Sequence, residues 1–216
     1  MKIGIILGSI RNGRRTESVA HWVYQAAQKR VADARNGDGD GAADRASVVV
    51  DTSGGEGDSL ADVVSYELLD LAAFDVPLLT SSTVPGSAKR QYEDERVTAW
   101  SRAIDACEGF IFVTPEYNHG VPGALKNAVD SLGPEWFGKA VAFVSHGADG
   151  GVRAVENWRV ILANMSMVDV RNVVSLGQFA DWSDGGFTPL ERRAKELKTV
   201  FQDLEAATRR NLGNRR

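Results

Sequence analysis

The sequence predicts an α/β protein with a parallel sheet covered by helices on both faces. Three observations predict it: short runs that are apolar throughout, apolar residues at helical spacing between those runs, and glycine- or proline-marked loops at the junctions. Strands buried on both faces read as continuous apolar segments, whereas half-solvated strands alternate.

Lys2-Ile3-Gly4-Ile5-Ile6-Leu7-Gly8 is such a run, stopped by glycine, and predicts the first strand. After the polar loop Ser9 to Arg15, Val19, Ala20, Val23, Ala26, Ala27 and Val31 recur at helical spacing. Val63 to Leu71 reads as the second strand and Ser87 to Cys107 as a long amphipathic helix. Phe110-Ile111-Phe112-Val113 predicts the third strand, followed by the loop Thr114 to Val121. Pro122 suits the first position of the next helix, which carries Leu125, Ala128, Val129 and Leu132. Val141-Ala142-Phe143-Val144 is the fourth strand; a glycine-rich loop and a helix through Val155, Trp158, Ile161 and Leu162 follow. Val170 to Leu176 is the fifth strand, and Thr188-Pro189-Leu190-Glu191 is a capping box that opens the last helix.

The 216 residues exceed a common domain of about 150, and one segment accounts for the excess. Asp33 to Asp62 carries six glycines, and eight acids against two arginines. The remaining chain then holds 23 basic and 21 acidic residues, so the net charge of -4 belongs to that segment. We expect a single domain with a Gly/Asp-rich surface insertion at about 35–62, enclosing a short edge strand at Ser47-Val48-Val49-Val50.

Composition narrows the function classes. A negative net charge disfavours general nucleic-acid binding. A single cysteine, Cys107, excludes an intrachain disulfide and a cysteine-based zinc site. His21, His119 and His146 are too scattered for metal-ligand spacing, so no metal is expected. No signal-peptide core or membrane-spanning run is present, which predicts a soluble, cytoplasmic protein. Cys107, Trp100, Trp136, Trp158 and Trp182 read as core or subunit-interface residues, and Glu191-Arg192-Arg193 as a solvated helix face.

In parallel α/β sheets, ligands bind beyond the carboxyl ends of the strands. The loop after the first strand, Gly8-Ser9-Ile10-Arg11-Asn12-Gly13-Arg14-Arg15-Thr16-Glu17-Ser18, combines hydroxyls, arginines and a helix start, all of which favour an anion. Gly8 and Gly13 have P-loop spacing, but Arg14 and Arg15 replace the lysine and hydroxyl that triphosphate hydrolysis needs. A single terminal phosphate fits better. The loop after the third strand, Thr114-Pro115-Glu116-Tyr117-Asn118-His119-Gly120-Val121-Pro122, is stiffened by two prolines, so its backbone can read the rim of a flat heterocycle beside Tyr117.

Pro115-Glu116-Tyr117-Asn118 with Pro122-Gly123 and Leu125-Lys126-Asn127-Ala128, together with Gly8-Ser9-x-Arg11, resembles the NADPH-dependent FMN reductase family, which includes quinone, azo-dye and chromate reductases. The resemblance covers Lys2 to Asp33 and Val63 to about Leu212. It implies a flavodoxin-like three-layer sandwich whose five parallel strands run in the order 2-1-3-4-5. It implies FMN as cofactor and NADPH or NADH as transient electron donor in ping-pong hydride transfer to a small-molecule acceptor. Ser9, Arg11, Arg15, Thr16, Glu17 and Ser18 would hold the phosphate. Pro115, Glu116, Tyr117 and Asn118 would meet the ring, with Ser145, His146 and Gly147 bordering its other edge. Tyr117, His119 and His146 are candidates for the pocket wall and substrate mouth, and no catalytic acid–base pair is demanded. The sequence departs from many members at Arg14, Thr16 and Ser131. Membership further implies a homodimer or homotetramer. The competing class is a non-enzymatic flavodoxin-like electron carrier or flavin-binding sensor, against which the arginines after Gly13 argue.

Overall fold

Five strands lie hydrogen-bonded in one parallel sheet ordered β2-β1-β3-β4-β5. They are β1 (Lys2–Leu7), β2 (Ser65–Asp70), β3 (Gly109–Pro115), β4 (Ala140–Gly147) and β5 (Val168–Gly177). The structure, a computed structural model, describes residues 1–36 and 64–214. The expected insertion at 35–62 and the strand Ser47–Val50 therefore lie outside the described residues, except that Arg35 and Asn36 end the first helix. Register brings the carboxyl ends of the central strands together, with Leu7 beside Val113 and Pro115 beside His146. The loops after β1, β3 and β4 consequently share one edge.

Helices cover both faces because each strand offers apolar side chains to both. On one face, α1 (Thr16–Asn36) and the final helix, Arg192–Asn214, bury Val19, Val23, Leu197, Val200 and Leu204 against Ile3, Ile5 and Val144. The other face is aromatic: Trp100, Trp136 and Trp158 are fully buried around Phe110, Phe112 and Phe143. Phe112 meets Trp158 edge-on at 5.4 Å, and Phe110 meets Trp136 at 5.1 Å. Each indole N–H finds an acceptor, since a buried donor left unpaired would cost about 1–3 kcal/mol. Trp100 donates to the Ala128 carbonyl, Trp136 to Val129, and Trp158 to the Thr114 hydroxyl at the end of β3. Cys107 is buried as expected, and burial pushes its thiol up to about 12, so it is inert.

Three expectations need correction. The helix expected over Ser87–Cys107 is shorter. A 3-10 turn at Pro85–Ser87 is followed by Lys89 and Arg90 in the left-handed region (φ 54° and 60°), which cannot continue a helix. After the single-turn α2 (Leu71–Phe74), α3 therefore spans Glu95–Asp105, capped by the Asp94 carboxylate accepting from the Arg96 N–H. The last helix starts at Arg192 instead of at the Thr188 capping box: Asp181, not the Thr188 hydroxyl, takes the Leu190 N–H, and its carbonyl takes that of Thr188. Finally, Arg193 is not on a solvated face: it is 7% exposed and pairs with fully buried Asp181 at 3.0 Å. Between β4 and β5 lies α5 (Val152–Ala163); α4 (Gly123–Asp130) follows β3, with Pro122 as its cap residue. The final helix is α6. A two-stranded hairpin, β6 (Trp182–Ser183) and β7 (Gly186–Phe187), stands between β5 and α6.

Candidate functional site

The loop after β1 brings three arginines to the sheet edge and gives them different tasks. Arg14 turns inward, donating to the Ser9 carbonyl at 2.8 Å and to Asp70, at the end of β2, at 2.6 Å. Arg11 and Arg15 are exposed and carry no ion pair among the described residues. Each guanidinium lies over an aromatic face: Arg11 at 5.7 Å from the Tyr117 ring centre, Arg15 at 5.6 Å from that of Trp182. Buried Ser9 shares a 2.7 Å hydrogen bond with the Tyr117 hydroxyl, tying the first loop to the third. Thr16 opens α1, and its hydroxyl lies 2.8 Å from Nε2 of His146. Glu17 is exposed near Arg14, and the Ser18 hydroxyl donates to the Arg15 carbonyl at 2.9 Å. Of the six residues expected at the phosphate, Arg11 and Arg15 thus retain uncommitted donors on their side chains. Arg14 does not supply loose charge as the sequence suggests, because Asp70 has claimed it.

The loop after β3 is held through Glu116, Tyr117 and its own backbone. Glu116, one residue past β3, accepts from the backbone N–H groups of Arg153 (2.9 Å) and Ala154 (3.3 Å), so it caps α5 from a distance in sequence of 37 residues. Arg153 Nη1 also reaches Glu116 and Asp149. Tyr117 and Gly120 exchange both backbone hydrogen bonds, closing a two-residue hairpin around Asn118 and His119. Both tip residues have positive φ (50° and 64°), the pattern of a type I′ turn, with histidine where glycine is favoured. Such backbone strain clusters at ligand-binding positions. His119 is exposed at this tip.

The loop after β4 packs beneath the other two. Ser145 is fully buried and its hydroxyl donates to the Gly150 carbonyl, while the Gly147 carbonyl accepts from Gly150 and Gln178 N–H groups. Gly151 has φ 75°, and a Cβ there would meet the Ser145 Cβ at 2.9 Å. His146 is 7% exposed, with Nε2 against the Thr16 hydroxyl and its ring against Trp182. Burial, then the Arg15 charge, pushes its pKa down to about 4, and the ring is neutral at pH 7.

Trp182 and Phe187 escaped the sequence reading of the site. Trp182 packs against His146 (5.8 Å) and Phe187 (4.9 Å), and Phe187 against Trp22 of α1 (5.8 Å). The signal was present: Asp184-Gly185 between two aromatic dipeptides is a hairpin marker. No cluster of three or more metal-ligating side chains occurs among the described residues, and no described helix is long and apolar enough to cross a membrane.

Strand order and the three loops at the carboxyl edge define a flavodoxin-like α/β protein. The family profile described as NADPH-dependent FMN reductase matches residues 1–181, and the chain belongs to that family. An NAD(P)H-dependent FMN reductase from Nectria sp. is 35% identical over 155 residues, covering 71% of this chain and 63% of that protein. This chain thus spans slightly under two thirds of that relative's length. A second from Saccharomyces cerevisiae is 29% identical, covering 77% of this chain and 76% of the other. Shorter matches reach an NADPH azoreductase from Bacillus sp. (33% identical, 49% and 58% covered) and a quinone reductase from Pseudomonas putida (36%, 43% and 51%). The solved flavoenzyme NAD(P)H:acceptor oxidoreductase FerB from Paracoccus denitrificans shares the fold, with TM-score 0.64, 17% identity, and 97% and 98% of the two chains covered.

Proposed function

We propose that the protein is an FMN-dependent NAD(P)H oxidoreductase that reduces quinones, azo compounds, flavin or similar small electrophilic acceptors. The observation that carries this reading is the pair Arg11 and Arg15: two guanidiniums without carboxylate partners among the described residues, each laid on an aromatic ring, in the loop that leads into α1. That donor set fits a phosphate dianion, because first-turn amides and arginines both favour one. FMN, when bound, would supply two-electron hydride chemistry.

The chain's own part is to hold and orient. Arg11, Arg15 and the opening of α1 would bind the phosphate, with Ser9 and Thr16 fixing the loop from within. The backbone of Pro115–Asn118 and of Ser145–Gly147 would border the ring, since the side chains of Glu116 and Ser145 are occupied by structural bonds. His119, at the exposed hairpin tip, would touch an acceptor. Family names of the relatives support an enzyme over a carrier. We extend the proposal to a single domain acting as a cytoplasmic homodimer or homotetramer without nucleic-acid or membrane partners. Exposed Leu78 and Val84 on one segment support self-association, which light scattering after gel filtration would read.

The direct test is the absorption spectrum of the purified protein with FMN, then NADPH and NADH oxidation in the presence of menadione or an azo dye. Flavin binding with sustained turnover and parallel initial-rate lines is the expected result. Flavin binding without turnover would transfer the protein to the carrier or sensor class, and no flavin binding would overturn the reading.

A further inference from the structure

The β6–β7 hairpin contributes no positively charged residue, yet hydrogen bonds hold both of its ends. The Asp181 carboxylate, fully buried, accepts from the N–H groups of Gly177 (2.9 Å) and Leu190 (3.0 Å) and from Arg193 Nε (3.1 Å) and Nη2 (3.0 Å). Burial pushes this carboxyl up, but Arg193 and the two amide bonds outweigh it and hold its pKa below the usual value. The Asp181 carbonyl accepts from the Thr188 N–H, closing the other end of the hairpin. Trp182, directly after this anchor, is the middle of an aromatic row from Trp22 through Phe187 to His146. Its indole face lies under the Arg15 guanidinium.

Without that face, Arg15 is a long exposed side chain with several rotatable bonds and nothing among the described residues to orient it. Indole is the strongest aromatic partner for a cation, and a guanidinium stacked on it keeps its N–H edges available for hydrogen bonds. His146 completes the arrangement by touching Trp182 and bonding Thr16 at the first position of α1.

We infer that Trp182 is a positioning residue that sets Arg15 over the start of α1 and so makes the protein select phosphate-terminated flavin over the unphosphorylated flavin. This inference rests on the FMN reading above and adds a residue outside the three flavin loops, with a defined effect at the phosphate end of the ligand that is read as the FMN-to-riboflavin ratio. Trp182 touches Arg15, not the ligand.

The test compares FMN and riboflavin binding by flavin-fluorescence titration, which needs no turnover. Wild type should prefer FMN. Trp182→Leu should lower the FMN-to-riboflavin affinity ratio by about fivefold with riboflavin affinity unchanged, and Trp182→Phe should restore most of the ratio. In an Arg15→Ala background, Trp182→Leu should leave the ratio where Arg15→Ala alone puts it. An undiminished ratio in Trp182→Leu, equal losses for both flavins in Trp182→Leu and Trp182→Phe, or full additivity with Arg15→Ala would each overturn the inference while leaving the FMN reading standing. Equal wild-type affinity for FMN and riboflavin would overturn the phosphate assignment and the inference with it. If Trp182→Leu fails to fold, Trp182→Phe and Arg15→Ala decide the matter: a ratio unchanged by Arg15→Ala removes the residue through which Trp182 acts.

Discussion

The loops after β1 and β3 meet through one hydrogen bond, Ser9 to Tyr117, but they are built on opposite plans. Of its three arginines the first ties down Arg14 and leaves Arg11 and Arg15 without a carboxylate partner among the described residues. The loop after β3 commits Glu116, Tyr117 and its backbone: Glu116 caps α5, Tyr117 holds Ser9, and Tyr117 and Gly120 pair. One loop therefore offers charge, the other offers shape. Charge is tolerant of small displacements and sensitive to salt, whereas a fixed backbone rim is insensitive to salt and intolerant of backbone change. Perturbations of each kind should separate the two.

The largest expected effect lies beneath the charged loop. Arg193→Ala leaves the Asp181 carboxylate buried without its cation, which should cost about 3–5 kcal/mol in urea unfolding. FMN affinity should fall as well, because the platform under Arg15 loosens. An unchanged urea midpoint would mean the hairpin is not held by this pair.

Next comes the rim. Gly151→Ala places a Cβ 2.9 Å from that of Ser145 on a backbone with φ 75°, and should destabilise the protein by about 2 kcal/mol. Because the Ser145–Gly147 segment moves, FMN and riboflavin should weaken alike. A selective loss of FMN would contradict the division between charge and rim.

His146, which bonds Thr16 from the rim, gives a pH signature. Its folded pKa of about 4 lies below its ordinary 6.5, so below pH 6.5 the unfolded chain takes up the proton first. Its contribution is complete above pH 6.5 and is lost as the pH falls toward 4, at up to about 1.4 kcal/mol per pH unit. Urea midpoints of wild type and His146→Gln, measured from pH 7 to 5, should converge as the pH drops. Parallel curves would show that the imidazole is not held neutral.

How far the sequence revealed these features follows from the range of each interaction. Ile3 to Leu7, Phe110 to Val113 and Val141 to Val144 announce the sheet because burial on both faces leaves continuous apolar runs. The site's loops are legible for the same reason, since they follow those runs. Partnerships between distant residues are not. Arg14 and Arg15 are adjacent and chemically identical, and only Asp70, 56 residues away, separates the engaged arginine from the available one. Arg193 resembles its solvated neighbour Arg192 until Asp181 closes on it. Glu116 reads as a ring contact, and its use as a cap depends on where α5 begins.

Smaller effects sharpen the comparison at its two exposed points. Arg11→Ala should weaken FMN about fivefold, leave riboflavin unchanged and flatten the salt dependence of FMN binding. His119→Gly acts on the other loop with the opposite sign. The left-handed backbone at φ 64° costs a β-carbon-bearing residue, and glycine adopts it freely, so the variant should gain roughly 0.5 kcal/mol in urea unfolding. Its flavin affinity should hold, because the hairpin's backbone bonds between Tyr117 and Gly120 remain. Turnover is where the loss should fall: removing the exposed imidazole at the tip should raise KM for the acceptor with kcat little changed, the mark of a contact made equally before and during reaction. A stabilised variant with unaltered KM would leave the tip a purely structural turn, and His119 no part of the acceptor's surroundings.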